Sequence, residues 1–215
     1  MKGDSVNFNE IDLFPRLLSL LTGYGFGCFL TAEAVVHHLS GKSVRHFGTG
    51  NPGMANVMKI FGFKAGICVL AGDLVKTLAA SFLCMRLFPQ TGKILFLWAG
   101  LGAVIGHNWP VWRKFRGGKG VAVTCLAIFL YSPVCGLAAD AAGMLVVFFT
   151  GYLPLGAVVI TTLYTVLIFL FSGTEAGILA FILNLIMISR HYPGLKRVVK
   201  GEEKRSAQLL GKKTT

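Results

Sequence analysis

The sequence predicts an all-α polytopic membrane protein of about seven transmembrane helices, some short or broken, with its N-terminus outside and its C-terminus cytoplasmic. Three observations predict it. The chain is 54% hydrophobic and 14% charged, where a soluble domain carries about 25% charged residues. Apolar runs recur along the whole length with no polar linker between them, so residues 1–215 read as a single domain. Lysine and arginine gather in alternate loops. A net charge of +12 is also the mark of a nucleic-acid binder, but these cations flank apolar spans. Membrane orientation explains them, and no nucleic-acid partner is expected.

The apolar segments follow in order. Leu17–Val36 is the first, retained as a span because Met1–Asp12 is too acidic and polar for a cleaved signal peptide. A polar stretch, His37–Lys64, contains a short helical piece at Val57–Phe63. Ala65–Leu87 and Ile94–Ile105 come next, the latter continued by a Gly106–Pro110 turn. Val121–Tyr131 and Val134–Phe149 flank Ser132-Pro133 and fall short of the roughly 20 residues a straight span needs. They form either two tilted helices or a re-entrant hairpin; both return the chain to the same side. Pro154–Phe171 and Ala176–Ser189 complete the set.

Sidedness comes from the cations. Lys42, Arg45, Lys59 and Lys64 occupy one loop, Arg113, Lys114, Arg116 and Lys119 another, and residues 190–215 form a basic tail. Alternating spans put all three on one face, which the positive-inside rule makes cytoplasmic. Residues 1–16, Lys93 and Glu175 fall on the opposite face. The five cysteines lie in apolar surroundings without metal-ligand spacing, and read as small core residues.

Two glycine-rich loops stand out. Gly106-His107-Asn108-Trp109-Pro110 leads through Phe115-Arg116-Gly117-Gly118-Lys119-Gly120 into an apolar helix. Glycines leave backbone N–H groups uncovered at a helix start, a ready anion site to which Lys119 adds a full charge. The same composition also suits a positive interfacial loop. The other loop carries Arg45, Gly48, Thr49, Gly50, Asn51, Gly53 and Asn56, with Arg45 able to clamp a phosphate. Asp73 and Lys76 share a helical face inside a span, as a structural ion pair or as part of a wet site. Glu33 and Asp140 read as interfacial or packing residues. His107 is either a hydrogen-bonding strut or a base. No nucleophile-and-base arrangement is legible, so a covalent enzyme intermediate has no carrier.

These motifs resemble those of the bacterial acyl-phosphate:glycerol-3-phosphate acyltransferases of the PlsY type, from about Gly23 to Lys204. Gly48-Thr49-Gly50-Asn51-Pro52-Gly53-Met54-Ala55-Asn56 is similar to the family's G-S-G-N-x-G-A-T-N. Asp73 and Lys76 resemble its D-x-x-K-G, with Thr77 in place of glycine. The stretch from Gly106 to Ala122 is similar to G-H-x-F-P…F-K-G-G-K-G-V-A. Arg190-His191, Lys196-Arg197 and Gly201 frame a final motif R-H-R-x-N-I-x-R-L-x-x-G, in which Tyr192 and Gly194 replace an arginine and an asparagine. In Thr150-Gly151-Tyr152-Leu153-Pro154-Leu155-Gly156-Ala157, Pro154 and Ala157 stand where the family has serines.

The resemblance implies a multi-pass enzyme of the bacterial inner membrane with a cytoplasmic site. It would transfer an acyl group from acyl phosphate to the 1-position of glycerol 3-phosphate, releasing lysophosphatidate and phosphate. Lys119, His107 and Asn51 are the expected catalytic residues. Arg45, Gly48, Thr49, Gly50, Asn56, Gly117, Gly118, Gly120, Arg190 and His191 would hold phosphate, with Asp73 and Lys76 pairing or lining the site. No cofactor or metal is called for; the partners are the two substrates and the bilayer. Two alternatives remain: a silent homologue that binds acyl phosphate or anionic lipid, and a small-anion transporter.

Overall fold

The structure, a computed structural model, describes residues 12–205. Among these residues all regular structure is helical. Helices α1 (Leu13–Gly27) and α2 (Thr31–Ser40) are followed by α3 (Met54–Phe61) and α4 (Phe63–Leu87). Then come α5 (Ile94–Asn108), α6 (Val121–Tyr131), α7 (Pro133–Thr150), α8 (Leu153–Phe171) and α9 (Thr174–Val199). Six helical stretches among the described residues are long and apolar enough to cross a membrane, the first being Leu13–Ser40. At about 1.5 Å per residue α6 reaches only about 16 Å, half of a hydrocarbon core roughly 30 Å thick. It survives at that length because its apolar surface packs against α4, α5 and α7. Around Ser132-Pro133 two helices, α6 and α7, meet at Ser132.

Four boundaries differ from expectation, each for a physical reason. The first span is not one helix: it breaks at Cys28–Leu30, where the carbonyls of Gly27 and Phe29 take hydrogen bonds from Lys76 instead of continuing the helical ladder. The polar stretch after it starts late, because α2 runs on to Ser40 and closes on Gly41. The presumed turn at Gly106–Pro110 is largely helix, since α5 continues through Asn108. The basic tail is helical at its start, because α9 passes Ser189 and ends at Val199 with Pro193 inside it. Residues 1–11 and Lys212 and Lys213 lie outside the described residues.

Helices α1 and α5 pack with their backbones touching. A Cβ on Gly23 or Gly27 would overlap the carbonyl of Ala99 or Ala103, and one on Gly102 or Gly106 would overlap that of Leu20 or Tyr24. Residue numbers rise together along the two helices, so they run parallel. The four-residue spacing of small residues is the device by which helices associate in lipid, where no hydrophobic force drives them together. The main core lies between α5, α6, α8 and α9, around Leu97, Leu101, Ile128, Tyr164, Ile168 and Leu183.

The starts of α1, α5 and α9 are fastened at one end. Arg16 donates to both carboxylate oxygens of Glu175, at 2.6 and 2.9 Å, and Trp98 Nε1 donates to the same carboxylate at 2.8 Å. Lys93 stands 5.0 Å from the Tyr131 ring centroid at the same end. The glycine-rich loops therefore collect at the other.

Candidate active site

The loop from Trp109 to Gly120 is folded back onto the end of α5. The amides of Gly117 and Gly118 donate to the carbonyls of Asn108 and His107, at 3.0 and 2.9 Å. They satisfy carbonyls that a helix end leaves without intrahelical partners. Glycine is required for the approach: a Cβ on Gly117 would strike the His107 carbonyl, and one on Gly118 the His107 ring. Both amides, expected to face a phosphate, are engaged by α5 carbonyls in this structure. Among the described residues the amides of Lys119 and Gly120 make no backbone bond, nor do those of Val111 and Trp112 earlier in the loop; Gly120 (φ 74°) opens α6.

Arg190 of α9 holds this loop from outside. Its guanidinium donates to the Gly118 carbonyl at 2.7 and 3.2 Å and to that of Gly117 at 3.3 Å, and stands 5.5 Å from the Trp109 ring centroid. Arg45 ties the other glycine-rich loop to it through the carbonyls of Arg113 (3.3 Å) and Arg116. Glu33 of α2 pairs with Arg113, so this carboxylate fastens the loop rather than merely facing the interface. Three separated stretches of sequence, residues 45–56, 113–120 and 190–197, thus meet at one end of the bundle.

Within the first loop, Asn56 is a brace. Its Oδ1 accepts the Thr49 amide at 2.9 Å and its Nδ2 donates to the Phe47 carbonyl at 3.1 Å. Gly48 (φ 57°) must be glycine twice over, since a Cβ there would also overlap Asn56 Oδ1. Gly50 donates its amide to Phe47. The amides of Thr49 and Gly50 and both ends of Asn56, expected to hold phosphate, are therefore occupied in shaping the loop. The Asn51 carboxamide makes no hydrogen bond among the described residues. It is the loop's available polar group.

Asp73 and Lys76 form a buried pair at the break in the first span. Lys76 Nζ lies 2.8 Å from Asp73 Oδ1 and donates to the carbonyl of Phe29 at 2.8 Å and that of Gly27 at 3.4 Å. It also contacts His107 Nδ1 at 2.9 Å. An ammonium only donates, so Nδ1 accepts and the ring proton sits on Nε2, beneath Gly118. Thr31 donates to Asp73 Oδ1 at 3.1 Å. His107 is fully enclosed in the last turn of α5 and serves as a strut between Lys76 and the glycine loop. His191 differs: its Nδ1 bonds the Met187 carbonyl at 3.0 Å, which fixes the proton on Nδ1 and leaves Nε2 as an acceptor.

Lys119 is half-buried at the centre of this assembly. Burial pulls its amine below the ordinary value of 10.5; Glu203 opposes that shift, while Arg197 and Arg190 add to it. The Glu203 contribution escaped the sequence reading, as did Asn108, whose fully buried carboxamide under Gly120 has no partner among the described residues. Pro154 and Gly194, two departures from the family pattern, pack against each other: a Cβ on Gly194 would come within 2.7 Å of Pro154 Cγ.

An apolar cavity of about 680 Å³ lies between α1 and α4, with Phe26, Phe29, Val75, Lys76 and Ala79 among its lining residues. A second, of about 300 Å³, shares Phe29 and reaches Trp112 and Arg113 of the glycine loop.

The second cavity is where the cation-rich end of the bundle and the apolar α1–α4 wall come together, through Arg113 and Phe29. A family model described as glycerol-3-phosphate acyltransferase matches residues 17–201. The chain is 34% identical over 199 residues to the glycerol-3-phosphate acyltransferase of Thermoanaerobacter sp. (strain X514), covering 92% of this chain and 97% of that one. It is 38% identical over 196 residues to glycerol-3-phosphate acyltransferase 1 of Lactobacillus johnsonii (strain CNCM I-12250 / La1 / NCC 533), covering 91% and 94%. The crystal structure of PlsY (YgiH), an integral membrane glycerol 3-phosphate acyltransferase, is similar in two forms. The lysophosphatidic acid form matches with TM-score 0.78 and 25% identity over 91% of this chain and 98% of that one. The glycerol 3-phosphate form matches with TM-score 0.75 and 27% identity over 90% and 94%. The chain belongs to the glycerol-3-phosphate acyltransferase family of the PlsY type, and it is a membrane enzyme.

Proposed function

We propose that this enzyme transfers an acyl group from acyl phosphate to the 1-hydroxyl of glycerol 3-phosphate at the cytoplasmic face of a bacterial inner membrane. The products are lysophosphatidate and inorganic phosphate. The observation that carries this reading is the convergence of residues 45–56, 113–120 and 190–197 around Lys119, beside an apolar slot. Solved relatives named for glycerol 3-phosphate and lysophosphatidic acid forms support the acceptor and the product.

The reaction needs no covalent intermediate, because the acyl group arrives activated. The glycerol oxygen forms a bond to the acyl carbon, and the bond from that carbon to the phosphate oxygen breaks. Lys119 and the amides opening α6 meet the charge that develops on the leaving phosphate, a role for which a helix start and an ammonium are suited. Asn51 offers its carboxamide to the substrate from the facing loop. Both histidines are buried. His191 Nε2 bears no proton and is the ring nitrogen that accepts the hydroxyl proton, whereas His107 Nδ1 is engaged by Lys76 and its Nε2 lies against the Gly118 backbone. The acyl tail occupies the α1–α4 cavity, and the shared Phe29 wall leads from it toward Arg113.

The test is purified protein in liposomes supplied with acyl phosphate and glycerol 3-phosphate. Lysophosphatidate and phosphate are expected in equal amounts. Saturable binding without product, or phosphate flux across the vesicle, contradicts the assignment.

A further inference from the structure

The last described residues carry a carboxylate back over the mouth. After α9 ends at Val199, Gly201 takes a left-handed turn at φ 70° and reverses the chain. The amides of Glu202 and Glu203 then donate to the Arg197 carbonyl at 2.8 and 3.2 Å. Glu203 Oε2 lies 2.5 Å from Arg197 Nε, and only 13% of its side chain is exposed. Arg205 continues the strap along Gly151, with its guanidinium 6.0 Å from the Tyr152 ring centroid. The segment therefore crosses from the end of α9 to the start of α8. Of the charges around Lys119, that of Glu203 acts on its amine most strongly, ahead of Arg197 and Arg190.

A sheltered carboxylate on a guanidinium and near an ammonium has the chemistry of an occupied anion site. Carboxylate and phosphate oxygens accept the same charge-assisted hydrogen bonds from arginine. We propose that Glu203, turned back by Gly201, occupies an anion site of the free enzyme on Arg197, at the mouth that holds Lys119, and is displaced by an incoming phosphate. Glu203 is then an affinity-setting residue. It keeps Arg197 paired when the site is empty, and it raises the apparent phosphate Kd in inverse proportion to the fraction of molecules it leaves open. A product phosphate leaves more readily when a tethered carboxylate is ready to replace it. The proposal rests on the reading that phosphorylated substrates bind at this mouth.

The test is calorimetric titration of inorganic phosphate into the full chain in phosphatidylcholine nanodiscs at low salt. Glu203→Gln removes the competing charge and is expected to bind phosphate about fivefold more tightly, the scale of a partly sheltered ion pair. Glu203→Asp keeps the charge and is expected to stay nearer the parent. The gain in Glu203→Gln is expected to shrink as salt screens the competition. Unchanged or weaker phosphate binding in Glu203→Gln overturns the proposal and leaves the strap a structural element. Phosphate that binds neither protein removes the anion site, and with it both this proposal and the acyltransfer reading. Tighter binding in Glu203→Gln without any lysophosphatidate from the parent sustains the competitor and sinks the acyltransfer reading alone.

Discussion

The two ends of the helical bundle handle charge in opposite ways. At one, Arg16 and Glu175 satisfy each other bidentately and Trp98 completes the carboxylate, so the charges are used up in fastening α1, α5 and α9. At the other, Arg45, Lys119, Arg190 and Arg197 crowd a mouth where Glu33 and Glu203 are the carboxylates engaged in ion pairs among the described residues. Charge that is matched holds a fold together; charge left in excess attracts a ligand. The glycines differ in the same sense. In the membrane they let α1 and α5 touch, whereas at the mouth they let a loop lie on the His107 ring and leave the amides of Lys119 and Gly120 open.

Variants at each end test this contrast, the largest effect first. Lys119→Ala is expected to lower acyl transfer by about a thousandfold, as loss of a transition-state donor does, with the thermal midpoint nearly unchanged. A variant that keeps its activity, or that unfolds, breaks the contrast. Gly118→Ala is expected to cost about a hundredfold in kcat/KM, because the added methyl displaces the loop from the His107 ring and misplaces Lys119. Glu175→Ala, at the fastened end, is expected to cost about 2–3 kcal/mol of stability by stranding Arg16, with activity per folded molecule retained. Loss of activity without loss of stability there would erase the distinction between the ends.

The smallest effect is in the pH profile. A lysine whose folded pKa lies below its ordinary value is neutralised earlier as pH rises. The alkaline limb of kcat/KM is therefore expected below 10.5, the ordinary value. Stability moves the other way: the unfolded chain binds the extra proton, so Lys119's unfavourable contribution is relieved as pH climbs from its folded pKa toward 10.5. A limb that remains in place in Lys119→Arg, measured on whatever activity that variant retains, assigns it to another group.

The spans were legible in the sequence because long apolar runs admit few other readings. The break at Cys28–Leu30 was not, since those residues are themselves apolar and the group that stabilises it, Lys76, lies far along the chain. The continuation of α9 was hidden for a related reason. Arg190, Lys196 and Arg197 read as a tail, yet the segment stays helical beyond Pro193, with Gly194 seated on Pro154. At the site, Lys119 and Asn51 could be picked out as polar groups in glycine-rich surroundings. The roles of Gly117, Gly118 and Asn56 could not, because local sequence does not reveal that their donors are taken by the α5 carbonyls and the 47–49 backbone. Glu203 was missed because only the Gly201 turn brings it back to Arg197.

The most direct measurement is side-specific labelling in bacterial vesicles of known orientation. Single cysteines would be placed at Asn51, Lys119 and Lys93 in a background lacking the five native ones. A membrane-impermeant thiol reagent is expected to reach positions 51 and 119 from the cytoplasmic face only, and position 93 from the opposite face only. Labelling of 51 and 119 from different faces, or of both from outside, would contradict a shared cytoplasmic mouth.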